Sequence, residues 1–139
     1  MNQSQKRKIK MDEISVLLVD DEADFLRPML KRLKIRNLNV SSVESGEEAL
    51  NVISENEIDV VVLDVRMPGM NGLETLAEIK RIKPATEVIM LTGHANIDVA
   101  LEGMGKGAFD YLMKPMEIDE LVYKIQDAYQ QKYINQKPL

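Results

Sequence analysis

Five polar positions stand at the ends of short apolar runs, and their types suggest one shared chemistry. Val16-Leu17-Leu18-Val19 stops at Asp20-Asp21, Val60-Val61-Val62-Leu63 stops at Asp64, and Val88-Ile89-Met90-Leu91 stops at Thr92. A further stretch, Ala108 to Met113, stops at Lys114. Carboxylates packed together repel one another, and their ionised forms need compensation. A hard cation such as Mg2+, or Mn2+ in its place, supplies it. Mg2+ binds through one or two carboxylates, keeps several waters and takes a phosphate oxygen. Lys114 adds a point charge suited to phosphate, and Thr92 adds a hydroxyl donor. Such a set fits phosphoryl transfer, in which positioning and charge neutralisation do nearly all the work. An Asp carboxylate is a competent nucleophile for a phosphoryl group. Without the cation and the lysine, anionic nucleophile and anionic donor would keep apart.

The elements that bring these positions together follow from the runs themselves. Short segments rich in branched side chains and apolar on both faces read as strands buried on both sides of a parallel sheet. Leu38 to Val43 is a weaker, more polar strand suited to an edge. Helical spacing fills the gaps. The faces are Leu26, Met29, Leu30 and Leu33; then Ala49, Leu50 and Ile53; then Leu73, Leu76, Ala77 and Ile79. A fourth face carries Ile97, Ala100, Leu101 and Met104, and a fifth carries Leu121, Val122, Ile125 and Ala128. Ser45-Gly46-Glu47-Glu48 resembles a capping box ahead of the second helix. Alternating strands and helices imply right-handed βαβ units. The expected fold is α/β, a doubly wound (βα)5 flavodoxin-like sandwich with a parallel sheet of order 2-1-3-4-5. Ligands bind at the carboxyl ends of the strands in such sheets, which is where the five polar positions fall. The second strand supplies none of them.

Bulk properties narrow the classes. The 139 residues suit one domain, with 45% apolar residues for a core and 29% charged residues for solubility. A net charge of -5 argues against a general nucleic-acid binder. With no Cys, disulfides and thiolate metal sites are excluded. No apolar run approaches the ~20 residues that cross a bilayer, and no signal-peptide pattern opens the chain, so a cytoplasmic location with no membrane association is expected. Residues 1–12 read as a flexible basic leader carrying Lys6, Arg7, Lys8 and Lys10, residues 13–134 as the domain, and 135–139 as a tail. Pro28 implies that the first helix starts late or bends. Gly103, Gly105 and Gly107 mark the expected loosest segment, since each glycine weakens a helix by ~1 kcal/mol against Ala.

Four motifs carry a resemblance that spans about Ile14 to Ala128. They are Leu18-Val19-Asp20-Asp21-Glu22, Leu63-Asp64-Val65-Arg66-Met67-Pro68-Gly69-Met70-Asn71-Gly72, Leu91-Thr92-Gly93-His94-Ala95, and Gly107-Ala108-Phe109-Asp110-Tyr111-Leu112-Met113-Lys114-Pro115. In this order and spacing the sequence resembles receiver domains of two-component response regulators, the group that includes CheY. The resemblance implies that Asp64 accepts the phosphoryl group from a histidine kinase or phosphotransfer protein. It further implies that Asp21, Asp64 and the backbone carbonyl of Arg66 bind Mg2+, with Asp20 acting mainly through water. Lys114 would hold a phosphoryl oxygen, Thr92 would swing towards the group, and Tyr111 would turn inward with it. Backbone N–H groups of Val65 and Gly93 are expected to assist, and the Lys114–Pro115 bond is expected to be cis. A downstream effector and a homodimer through the fourth and fifth helices are compatible with this reading. The domain itself is expected to be regulatory rather than an enzyme, beyond self-catalysed phosphotransfer and autodephosphorylation.

Alternatives leave recognisable traces. A flavin or nucleotide site of this topology needs a Gly/Ser/Thr-rich phosphate loop after the first strand, where this chain has Asp20-Asp21-Glu22. A haloacid-dehalogenase-type phosphatase needs a second Asp two residues after the nucleophile, and position 66 is Arg. A receiver-like interaction scaffold that is never phosphorylated tends to lack one of the site residues, and all five are present. Asp20 and Asp21 also suit helix capping. His94 reads as an exposed loop residue near the mouth of the site, where it and Arg66 could tune phosphoryl lifetime. The Met residues read as packing.

Overall fold

The computed structural model describes residues 9–136. Strands β1 (Ser15–Val19), β2 (Asn39–Val43), β3 (Val60–Asp64), β4 (Glu87–Thr92) and β5 (Asp110–Met113) alternate with five helices. These are α1 (Ala23–Ile35), α2 (Gly46–Glu55), α3 (Gly72–Ile82), α4 (Ile97–Gly105) and α5 (Ile118–Gln136). The strands form one parallel sheet of order β2-β1-β3-β4-β5. That is the expected doubly wound flavodoxin-like arrangement.

Side-chain alternation along the strands divides the core into two layers. Val16, Leu18, Val60, Val62, Ile89 and Leu91 pack with α1 and α5 residues such as Leu26, Leu33, Leu121 and Ile125. Leu17, Val19, Val61, Leu63, Val88 and Met90 pack on the other face with Ile53, Leu76, Ile79 and Ala100. Every residue of β3 and β4 is buried, whereas β2 exposes Asn39 and Ser41, as its polar sequence and edge position require.

The ends of the helices are set by local chemistry. Asn71 and Glu74 form the capping box of α3, each side chain bonding the other's backbone N–H. At α2 the box is only half made. Ser45 accepts from the Glu48 N–H, but the Glu48 carboxylate takes the Glu44 N–H and the Ser45 hydroxyl. Asn37, at φ 67, closes α1 with the N–H of Leu38 on the Leu33 carbonyl and its own on Lys34. Gly107, at φ +107, does the same for α4, with Ala108 N–H on Gly103. Gly103 itself is buried.

Several expectations are corrected. Pro28 lies inside α1, which starts at Ala23, so of the two readings of that proline the late start is excluded. Neither Asp20 nor Asp21 is the α1 cap; Glu22 holds that place, without a side-chain cap bond. Ala77 is exposed, and so are Leu101 (51%) and Met104 (37%), so α4 faces the sheet with Ala100, as expected, and with Gly103 in place of those two. An apolar helix offers more than one stripe, and spacing alone does not choose among them. Ile9 and Met11, within the stretch read as a leader, pack against the core, while residues 1–8 lie outside the described residues. Helix α5 continues through Asn135 and Gln136. The Lys114–Pro115 bond is cis, as expected. No helix among the described residues is long and apolar enough to cross a membrane.

Candidate functional site

Strand register places the acidic residues side by side. Val19 pairs with Leu63, so the next residues, Asp20 just past β1 and Asp64 at the end of β3, stand as neighbours. One carboxylate oxygen from each of Asp20, Asp21 and Asp64 lies within 4.8 Å of the others. Asp20 is 1% exposed and Asp64 6%, whereas Asp21 is open to solvent. Asp20 uses both oxygens: Oδ1 accepts the Glu22 N–H at 2.9 Å, and Oδ2 accepts Lys114 Nζ at 2.6 Å. Lys114 arrives from β5, whose last residue Met113 pairs with Thr92, and its own N–H bonds the Thr92 carbonyl. Its ammonium also lies 3.5 Å from Glu22, 3.8 Å from Asp64 and 4.2 Å from the centre of the Phe25 ring.

These neighbours set the protonation chemistry. Burial pushes the Asp64 carboxyl from an ordinary 3.8 up to about 6, and the charge of Asp20 adds to the rise. Lys114 and a hydrogen bond from the Arg66 backbone N–H pull the other way. For Lys114, burial acts to lower the value. The hydrogen bond and charge of Asp20, with Asp64 and Glu22 behind them, outweigh burial, so the net direction is up. A buried carboxylate whose ionisation is opposed by a second carboxylate has an unmet demand for positive charge. Three clustered oxygen donors suit a hard divalent cation, so the residues present fit one.

A cleft of about 580 Å³ opens on this cluster, lined by Asp21, Glu22, Asp64, Arg66, Met67, Pro68, Gly93, Asn96 and Lys114. Thr92 stands just beneath it. Its side chain is fully buried and its hydroxyl donates to the Gly93 carbonyl at 2.9 Å. Tyr111 is half-buried, packs in the layer with α2, α3 and α4, and does not line the cleft. His94 is exposed, as expected, but it begins a short 3-10 turn, His94–Asn96, and does not lie in a plain loop. One expected donor is corrected: the Val65 N–H continues the sheet by bonding the Leu91 carbonyl, and the N–H that meets Asp64 belongs to Arg66. The contacts of Glu22 and Phe25 with Lys114 were missed. Their three-residue spacing, which puts both on one face of a helix, was the available signal.

Comparison with known proteins decides the family. The profile of the response regulator receiver domain matches residues 16–126. The chain belongs to the response regulator receiver family. This receiver is 37% identical over 117 residues to transcriptional regulatory protein ZraR of Escherichia coli (strain K12), covering 84% of this chain and 26% of that protein. It is 37% identical over 121 residues to the DNA-binding transcriptional regulator NtrC of Klebsiella pneumoniae, covering 87% of this chain and 26% of that one. Among solved structures, a response regulator receiver domain protein from Clostridium thermocellum is 38% identical with a TM-score of 0.84, covering 88% of this chain and 98% of that one. The receiver thus spans about a quarter of the length of the curated relatives it matches.

Proposed function

We propose that this receiver is a phosphorylation switch in which Asp64 accepts a phosphoryl group from a histidine kinase or phosphotransfer protein. The observation that carries the reading is the buried Asp64 carboxylate, set beside Asp20 and Asp21 and 3.8 Å from Lys114 at the floor of an open cleft. An Asp64 oxygen forms the bond to phosphorus as the donor's bond to phosphorus breaks, and the leaving group keeps that electron pair. Lys114 turns from Asp20 to a phosphoryl oxygen, and the Arg66 N–H faces the same place. Asp20, Asp21 and Asp64, with the backbone carbonyl of Arg66, would hold Mg2+ or Mn2+. Such an ion, when bound, offsets the charge of the carboxylates and of a phosphate oxygen.

The resting hydroxyl of Thr92 is turned to Gly93, so a rotation towards the new phosphate would break one weak bond and make a charge-assisted one. Tyr111, half-buried on the adjacent strand, is the group proposed to follow it and bias two arrangements of the α4–β5 face. Leu101, Met104 and Tyr123, exposed on α4 and α5, support this face as the place of output or of self-association. By analogy with ZraR and NtrC, whose names describe transcriptional regulators, the output proposed is control of transcription through a further domain or partner.

Incubation with acetyl phosphate, with and without Mg2+, followed by intact mass measurement, tests the reading. Wild-type protein should gain one phosphoryl group only with the metal, and Asp64→Ala none. A wild type that gains nothing, or an alanine variant that still does, refutes it.

A further inference from the structure

The ammonium of Lys114 has an aromatic neighbour beside its carboxylates. Its Nζ lies 4.2 Å from the centre of the Phe25 ring. That is within the ~6 Å at which a ring face attracts a cation. Phe25 stands in the first turn of α1 and is partly buried against the core layer that α1 shares with α5. Its ring is therefore held by packing, not by the lysine.

Lysine is a point charge on a flexible four-carbon stem. In the resting site the strongest hold on it is the 2.6 Å bond from Asp20, with Glu22 at 3.5 Å and Asp64 at 3.8 Å. To reach a phosphoryl oxygen the ammonium must re-aim N–H donors that these carboxylates compete for. The ring attracts the charge through its quadrupole and needs none of the N–H groups to point in a fixed direction. Its hold therefore persists while the hydrogen bonds change.

We propose that Phe25 is a positioning residue: its ring face keeps the Lys114 ammonium over the carboxylate cluster while the N–H donors turn from Asp20 to the incoming phosphoryl group. This rests on Asp64 being the acceptor. Phe25 touches no reacting atom and acts only through Lys114.

The test compares wild type, Phe25→Leu and Phe25→Tyr in the whole chain. Leucine keeps an apolar side chain without the ring face, and tyrosine keeps the ring. Two quantities are measured: the initial rate of phosphoryl uptake from acetyl phosphate with Mg2+, and the proton shifts of the Lys114 ε-methylene, which a ring face moves upfield. Phe25→Leu should slow uptake by about 3- to 10-fold and Phe25→Tyr by less than about 2-fold. The upfield shift should survive in the tyrosine variant and vanish in the leucine one. Unchanged uptake in Phe25→Leu, an ε-methylene shift indifferent to the ring, or equal losses in both variants would overturn the proposal. A wild type that takes up no phosphoryl group instead refutes the acceptor reading, and with it any role for Phe25 in that reaction.

Discussion

Asp64 has to carry its charge in a place that resists it. Burial first, then the charge of Asp20, raises its carboxyl from 3.8 to about 6. The protonated form therefore prefers the folded site, and ionisation favours the unfolded chain. Below about 3.8 both states are protonated and nothing is lost. As pH rises from there to about 6 the unfolded chain ionises first and stability falls, and above about 6 the whole penalty is present. At 1.36 kcal/mol per pKa unit the penalty is on the order of 3 kcal/mol. Asp64→Asn should thus be more stable than wild type near pH 7.5 without divalent cations, by up to about that amount, and the gain should fade towards about pH 3.5. Urea denaturation at the two pH values measures it. A gain that does not change with pH would show that ionisation of Asp64 is not its cause.

At the scale of elements, the proposed acceptor depends on how closely α3 approaches the loop after β3. A Cβ added at Gly72 would lie 2.5 Å from Val65 Cα, 2.7 Å from the Asp64 carbonyl oxygen and 2.8 Å from that of Val65. These are backbone atoms, so the loop itself would have to move. Gly72→Ala should cost about 1–3 kcal/mol and also slow phosphoryl uptake. The neighbouring Asn71→Ala should cost about 1 kcal/mol through its lost cap and leave uptake near wild type. Thermal melts and uptake rates on the two variants separate stability from positioning. If Gly72→Ala accepts phosphate at the wild-type rate, the loop does not need this close approach. The polar base of the sheet shows the same economy of elements. Buried Lys132 of α5 reaches Asp59 just before β3 at 2.9 Å, and Asn135 reaches Glu87 of β4 at 3.3 Å. Helix α5 is thereby tied to the ends of the strands opposite the cleft.

For the molecule as a whole, the carboxylate cluster exists only when the sheet is formed, because Asp20 and Asp64 are 44 residues apart in the chain and meet through strand register. A ligand that binds the folded state alone stabilises it, by about 2.7 kcal/mol at a hundred times its dissociation constant. Mg2+ should therefore raise the Tm of wild type in a saturable way. Asp21→Ala, which removes an exposed carboxylate without opening the core, should lose most of the rise. Melts at constant ionic strength across a Mg2+ series test this. A Tm indifferent to Mg2+ up to about 10 mM would remove the cation from the proposed mechanism.

The apolar runs, their lengths and their alternation with helical spacing pointed to the strands and their parallel sense, and the polar second run fitted an edge place in the order that the sheet adopts. The reason is that a strand buried on both faces must be continuously apolar and an edge strand need not be. The same pattern marked Asp20, Asp21, Asp64, Thr92 and Lys114, because a polar residue ending a buried strand emerges where the helices leave the sheet open. Tertiary structure decided what periodicity does not carry. It joined Gly103 to Ala100, leaving out Leu101 and Met104, as the packed side of α4, and it gave Asp64 the N–H of Arg66 after the sheet had claimed that of Val65. It also brought Phe25 to Lys114. A sequence pattern records how often a face recurs; which way that face is turned, and what waits there, depends on elements joined only through the folded sheet.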